Sequence, residues 1–320
     1  MFGKLTLAVL AWTAGAALAC AQPASWPARP LHMIVPLPAG SAADTLARLV
    51  ATKLSQSLGQ PVIVDNRDGG SGTIGSNQVA HAEPDGYTLG IATTTTLVTA
   101  PILDRNIGYN AASDFTPVAM VGYSPYVFVT HPSVPATTVA DFIALAKSKP
   151  GALTYSSVGE SSLAHLGAEL FARMSGVQLT EVPYKSSTQA VIDLVSGRID
   201  SQFGILATTH QYIKEGKLNA LGVTTRERIA EYPDIPTISE SGLSGFEAVL
   251  WIAVVAPAKT DAGIVRKLNE TINQALSLPD TRTLLFNQAL IVDTGAPEWL
   301  GQRIASDSEK WRALALKAVQ

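Results

Sequence analysis

Short apolar runs and amphipathic stretches alternate along most of this chain, and that alternation limits the available folds more than any other feature. Leu31–Pro36 is an apolar run ended by proline. Leu46, Leu49, Val50, Leu54 and Leu58 then recur at helical spacing, and Gly59 follows as a stop. Val62-Ile63-Val64 and Thr88–Ala92 are further strand-like runs, separated by a Gly-rich loop and a small-residue helix. Strand, helix, strand, helix, strand is the pattern of a parallel sheet with helical crossovers. The pattern returns at Leu153–Ser156, at a helix marked by Leu163, Leu166, Leu170, Phe171 and Met174, and at Leu179–Val182. Ala190–Val195 reads as helix and Arg198–Phe203 as strand. A long apolar strand around Leu250–Val255, a helix marked by Ile264, Val265, Leu268, Ile272 and Leu276, and a helical tail bearing Trp299 and Trp311 complete the chain. No fixed-period repeat and no low-complexity linker interrupts it. The expectation is an α/β protein of two lobes joined by more than one crossing.

With 320 residues, 47% of them hydrophobic, the chain is long enough for two cores. Charged residues make up 15% and the net charge is −3, with no basic block. A nucleic-acid partner is therefore not expected. The five histidines are scattered and there is one cysteine, so neither a metal site nor a cofactor is expected. Residues 1–21 read as a cleaved secretory signal. Lys4 precedes the apolar run Leu5–Leu18, and Ala17-Leu18-Ala19 and Ala19-Cys20-Ala21 both fit a signal-peptidase site. A lipoprotein signal usually places Leu three residues before its Cys. Here Ala17 stands there, so lipid anchoring at Cys20 is the less favoured outcome. No later stretch reaches the roughly 18 apolar residues of a membrane span. The expected compartment is the periplasm.

Four polar loops follow strands and could carry chemistry. Pro38-Ala39-Gly40-Ser41-Ala42-Ala43-Asp44 opens a helix. Free N–H groups and the positive dipole end of a helix start suit an anion, and small residues allow close approach. Ser41 and Asp44 also fit a capping box, and one cap cannot use every free amide. Gly70-Ser71-Gly72-Thr73-Ile74-Gly75 is a literal GxGxxG, but Asn66-Arg67-Asp68-Gly69 separates it from its strand. The next strand ends in threonines, with no acid for a ribose, so the motif reads as a turn and a helix start and not as a nucleotide site. Thr93–Thr96 could line a cleft or cap a helix. Ser156-Ser157-Val158-Gly159-Glu160-Ser161-Ser162, with His165, is a second helix start of the first kind. Ser161 and His165 are four apart on one face. A serine hydrolase needs an oriented base and an oxyanion hole as well, and no GxSxG occurs. An enzyme is not expected.

Taken in order, the motifs resemble the solute receptors of tripartite tricarboxylate transporters, the Bug receptors. The matching residues include Trp26-Pro27-Ala28-Arg29-Pro30, Ile34-Val35-Pro36, Pro38-Ala39-Gly40 with Asp44, and Leu58-Gly59-Gln60-Pro61-Val62. Asn66-Arg67, Gly72 with Ile74-Gly75, Pro84-Asp85-Gly86-Tyr87-Thr88-Leu89 and Asp114-Phe115-Thr116-Pro117-Val118 continue the set. Further on come His165-Leu166-Gly167-Ala168-Glu169-Leu170-Phe171, Val182-Pro183-Tyr184-Lys185, Pro236-Thr237-Ile238 and Ala256-Pro257. The resemblance implies a periplasmic-binding-protein (Venus flytrap, type II-like) fold, each lobe a mainly parallel sheet flanked by helices. Residues 22–121 with 247–320 would form one lobe and 122–246 the other. It implies a small organic carboxylate as ligand and a large and a small integral membrane subunit as partners, with the receptor a monomer. A receptor feeding a signalling system is the alternative within the same fold.

The ligand contacts implied by the resemblance are Pro38, Gly40, Ser41, Ala43, Asp44, Thr94, Thr95, Ser157, Gly159, Ser161, Ser162 and His165. Three departures from the family pattern stand out. Ser41 replaces a second glycine, Ser186 follows Pro183-Tyr184-Lys185 where glycine is usual, and Gly204-Ile205 follows Phe203 where many relatives carry Asp, often with Asn. In receptors for amino acids such an Asp meets the ammonium group. Gly204 and Ile205 are therefore expected to leave a roomier, more apolar floor and to disfavour an α-amino acid.

Overall fold

The computed structural model describes residues 26–318 except Arg105, Ser161 and Ala289. The expected signal segment 1–21 with Cys20, and the candidate Ser161, lie outside the described residues. The fold is two-lobed α/β, with two mixed sheets flanked by helices.

The first sheet begins with β1 (Leu31–Val35), whose side chains are almost all buried. Helix α1 (Ala42–Leu58) follows. Leu46, Val50 and Leu54 lie one turn apart on its buried face, and Gly59 ends it at φ 70°, a left-handed value that favours glycine. Next come β2 (Val62–Asn66), α2 (Thr73–Ala80) and β3 (Thr88–Thr93). A π-helical stretch, Thr95–Thr99, runs into the short α3 (Ala100–Leu103). The ten-residue β4 (Phe115–Ser124) then crosses the sheet.

The second sheet starts one residue later with β5 (Tyr126–Thr130). It continues through α4 (Val139–Ser148), β6 (Thr154–Ser157), α5 (Leu163–Ser175), β7 (Thr180–Pro183) and α6 (Ser187–Val195). Strand β8 (Ser201–Ile205), α7 (Leu206–Lys214) and β9 (Asn219–Val223) complete it. The chain returns to the first sheet as β10 (Leu250–Pro257), then α8 (Ala262–Ser277), α9 (Pro279–Phe286), β11 (Ile291–Val292) and α10 (Pro297–Ala318).

Strand order is β11-β4-β10-β3-β1-β2 in one sheet and β7-β6-β8-β5-β9 in the other. β1, β2 and β3 are parallel, and β10 runs antiparallel to both β3 and β4. β6, β7 and β8 are parallel, and β5 is antiparallel to β8 and β9. The reversed strands are those through which the chain enters each sheet. A chain crossing between sheets at one end must run away from that end, so β5 and β10 oppose the strands that lead toward it.

This arrangement positions the loops. Tyr126 pairs with Ile205, Leu250 with Ser124, and Ile252 with Thr93. The carboxyl ends of β1, β3, β6 and β8 therefore all lie at the end where the chain crosses between sheets. The helix starts that follow them lie at that same end of each sheet. Ligands of open α/β sheets bind at such ends. A phenylalanine cluster, Phe128, Phe142, Phe171, Phe203 and Phe246, fills the second lobe beneath them, with Phe128 and Phe203 stacked at 4.5 Å. The packed core continues into the first lobe through Trp251, Leu300 and Trp311.

Candidate functional site

At the start of α1, Ser41 is the N-cap and its hydroxyl accepts from the Asp44 amide at 3.2 Å. The Asp44 carboxylate reaches back to the Gly40 amide at 2.9 Å, one residue earlier than in a standard capping box. It also accepts from Arg48 Nε and from Asn66 Nδ2, both at 3.0 Å. Asp44 is only 3% exposed. Burial alone would raise its pKa, but the hydrogen bonds from Arg48, Gly40 and Asn66 outweigh it and hold the carboxyl below its usual value.

Asp44 thus organises the loop, and its hydrogen bonds already point inward. Asn66 Nδ2 also donates to the Leu37 carbonyl at 3.1 Å, and the Pro38 carbonyl accepts from the Ser41 amide at 3.2 Å. Gly40 sits at φ 83°, and a Cβ there would meet nothing within 4 Å. Ala43 turns its methyl into the core, so it offers only its amide. The amides of Ala42 and Ala43 have no acceptor among the described residues and point out of the helix start.

The start of α5 repeats this geometry. Ser162 is the N-cap, and its hydroxyl accepts from the His165 amide at 3.2 Å. The amides of Leu163 and Ala164 are left without an acceptor among the described residues. Gly159 sits at φ 118° with open space where a side chain would project. The hydroxyl of Ser157 accepts weakly from the Gly159 amide at 3.4 Å and donates to Glu181 Oε1 in a short hydrogen bond. His165 Nδ1 lies 2.9 Å from the same oxygen. An ionised carboxylate can only accept, so the shared proton belongs to His165 Nδ1. Tyr155 OH donates to Glu169 Oε1 at 3.3 Å. Burial first, and then the charges of Glu169 and Glu181, push the Tyr155 pKa up.

The remaining candidates divide. The Thr94 hydroxyl donates to the Val249 carbonyl at 3.0 Å and accepts from the Trp251 amide at 3.1 Å. It is 1% exposed and ties the end of β3 to the returning chain. Thr95, partly exposed, has no side-chain partner among the described residues. Gly204 and Ile205 belong to β8 itself, and Ile205 precedes a helix that has no side-chain cap.

The expectation of a roomier floor at Gly204 does not hold. A Cβ there would come within 2.7 Å of Thr209 Cγ2 and 3.1 Å of Gln202 Oε1. The space an acid would need is filled by the buried Thr209. The glycine-rich run is a turn and a helix start, as expected. A Cβ at Gly75 would approach the Arg67 carbonyl at 2.8 Å and Pro36 Cα at 2.9 Å, so this glycine serves close packing of α2 on the end of β1.

Glu181, Glu169 and Tyr155 were not among the sequence candidates. Tyr155 stands two residues before Ser157, hence on the same face of β6. Glu181 is the register partner of Tyr155 on β7. Only the pairing of two strands whose register the sequence does not reveal brings them together.

The comparisons with known proteins agree with this geometry. A model of the tripartite tricarboxylate transporter family receptor matches residues 46–319. A protein of the tcbD-tcbE intergenic region of Pseudomonas sp. (strain P51) is 37% identical over 294 residues, covering 92% of this chain and 87% of that one. Protein BugT of Bordetella pertussis is 36% identical over 288 residues, 90% of this chain and 88% of that one. Among solved structures, R. palustris Rpa4515 with adipate has a TM-score of 0.78 and 35% identity, covering 92% of this chain and 98% of the other. MatC from Rhodopseudomonas palustris with bound malate has a TM-score of 0.74 and 31% identity, covering 90% and 99%. By the family match over most of its length and these relatives, the chain belongs to the receptor family of the tripartite tricarboxylate transporters.

Proposed function

We propose that this protein is an extracytoplasmic solute receptor that holds a carboxylate of a small organic acid between the starts of α1 and α5. The observation that carries this reading is the pair of unpartnered amide sets, Ala42 with Ala43 and Leu163 with Ala164, at the helix starts that follow the carboxyl ends of β1 and β6. A carboxylate supplies the acceptors that both helix starts lack, and both dipoles favour its charge. Relatives solved with adipate and with malate make a small organic acid the natural class.

The mechanism is lobe closure. Residues 22–121 with 247–320 act as one body and 122–246 as the other. The two bend about Ser124-Pro125-Tyr126 and about the segment between β9 and β10, and ligand favours the closed form. The closed receptor docks on a large and a small integral membrane subunit. No helix among the described residues is long and apolar enough to cross a membrane, and the signal-like residues 1–21 supply the route of export.

The test is thermal unfolding of the mature protein, refolded to remove bound solute, against a panel of organic acids and their amides. A ligand at about 100 times its dissociation constant stabilises by about 2.7 kcal/mol, a rise of several degrees. One or more acids should raise the midpoint while the matched amides do not. Equal shifts by acids and amides would refute a carboxylate clamp.

A further inference from the structure

We propose that Glu181 sets the ligand class of the cleft, selecting a monocarboxylate that carries a hydroxyl or ammonium donor over an unsubstituted dicarboxylate. The inference rests on the carboxylate reading of the two helix starts and specifies what the rest of the ligand meets.

Glu181 stands on β7 beside the start of α5. Its Oε1 takes both Ser157 Oγ, at the end of β6, and His165 Nδ1, in the first turn of α5. Its Oε2 has no partner among the described residues, and the side chain is 33% exposed. A carboxylate oxygen in that state accepts hydrogen bonds and repels another anion.

A second carboxylate stands nearby, since Glu169 Oε1 lies 3.3 Å from the Tyr155 hydroxyl. His165, the nearest base, meets Oε1 of Glu181 and leaves Oε2 open. The loops that follow β6 and β7 add one acid, Glu160, and one base, Lys185, which offset each other to first order. Tyr155 bonds Glu169 and is the register partner of Glu181, and its pKa is raised by burial first and then by these two carboxylates. The same two carboxylates oppose a second negative charge on a bound ligand.

The first lobe is different. There the Asp44 charge is met by Arg48, three hydrogen bonds converge on its carboxylate, and the free amides dominate. The first lobe therefore only attracts the carboxylate, whereas the second sets beside its free amides an acceptor that suits a donor elsewhere on the ligand. Strand order explains how an acid can serve the cleft although Gly204 carries none. β7 lies beside β6, and β6 beside β8, so Glu181 reaches the α5 start from the opposite side.

The experiment is titration calorimetry with two matched series, butanoate, 4-hydroxybutanoate, 4-aminobutanoate and succinate, and their counterparts hexanoate, 6-hydroxyhexanoate, 6-aminohexanoate and adipate. In at least one series the hydroxy or amino acid should bind at least about tenfold more tightly than the diacid, a difference of ~1.4 kcal/mol. Glu181→Gln should remove that preference and tighten the diacid. Glu181→Asp, which keeps the charge, should retain the order. An unliganded melting point close to wild type establishes that each variant is folded. A diacid that binds wild type as tightly as its donor-bearing partner overturns the inference and leaves the carboxylate clamp standing. A preference unchanged in Glu181→Gln overturns it too. If no acid of either series binds, the carboxylate clamp itself fails, and the inference falls with it.

Discussion

At the scale of single residues, the site is built by side chains that hold backbone in place more than by side chains that reach for a ligand. Asp44 is the clearest case, since Gly40, Arg48 and Asn66 all donate to it. Asp44→Ala should cost about 2 kcal/mol, because three donors lose a charged acceptor in a mostly buried setting. It should also weaken ligand binding by loosening the Gly40 turn. Melting point and affinity measured on one preparation test both effects. The pH dependence has a definite sign. The folded pKa of Asp44 is depressed, so its contribution is present above the unfolded value, about 3.9, and is lost as pH falls through the lower folded value. Asp44→Asn should flatten the acid limb of the melting curve, and an unchanged limb would show that other carboxylates dominate it. The α1 loop was legible in sequence because cap, glycine and acid lie within five residues. The second lobe was less so. Ser162 announces its helix, but the partners of Ser157 and His165 come from β7, outside any local pattern. Thr94 was legible as polar and placed at a strand end, but not as the tie to Val249 and Trp251, more than 150 residues away.

At the scale of elements, hydrophobic period and stop signals located β1, α1, β2, β3, α5 and α8. They gave no warning of β4, β5 or β9, whose pairing depends on where the chain changes sheets. β8 begins at Ser201 and runs on to Ile205, later than the strand-like stretch Arg198–Phe203 suggests. Gly197, at φ 73°, and the Asp193–Arg198 ion pair occupy the preceding residues with a turn. α2 illustrates how one small residue fixes an element. Gly75 has an ordinary helical backbone, so its demand is purely for space against Arg67 and Pro36. Gly75→Ala should therefore destabilise by about 1–3 kcal/mol, the usual range for overpacking against groups that cannot yield. Because Pro36 leads directly into the Gly40 loop, the variant should also lose affinity. Gly176→Ala is the control at a helix end, where a Cβ meets nothing and only the φ of 72° is strained. It should lower stability without touching affinity. Equal losses of affinity in both would detach α2 from the site.

At the scale of the whole molecule, two chain crossings and one long helix join the two sheets. Thr224 donates from its amide and its hydroxyl to the Tyr126 carbonyl, and Ala248 donates to the Thr224 carbonyl, so the crossings run side by side. α10 braces them. Asp307, almost fully buried, accepts from Trp251 Nε1 at 2.9 Å and pairs with Arg303 at 2.9 Å and Lys310 at 3.1 Å. Arg303 also pairs with Glu247 at 3.0 Å, and Lys310 donates to the Glu247 carbonyl at 3.2 Å. Farther along α10, the carbonyls of Ala313 and Leu314 accept from Arg173 of α5, which belongs to the other lobe. Desolvation would raise the Asp307 pKa, but Lys310, Arg303 and Trp251 outweigh it and keep the carboxyl ionised. Removing this acid leaves two partly buried cations and an indole N–H without their acceptor. Breaking such a group from one side costs about 3 kcal/mol. For a chain of this length that is a fall of about 4–5 °C in melting temperature. Wild type should unfold in one calorimetric transition, because the braced crossings couple the lobes. Asp307→Ala should melt lower and broaden toward two transitions as the coupling weakens. Its affinity for an acid should change less than that of Asp44→Ala, since Asp307 touches neither helix start. A wild type that melts in two steps would mean that the lobes unfold independently and that α10 does not bind them into one cooperative unit.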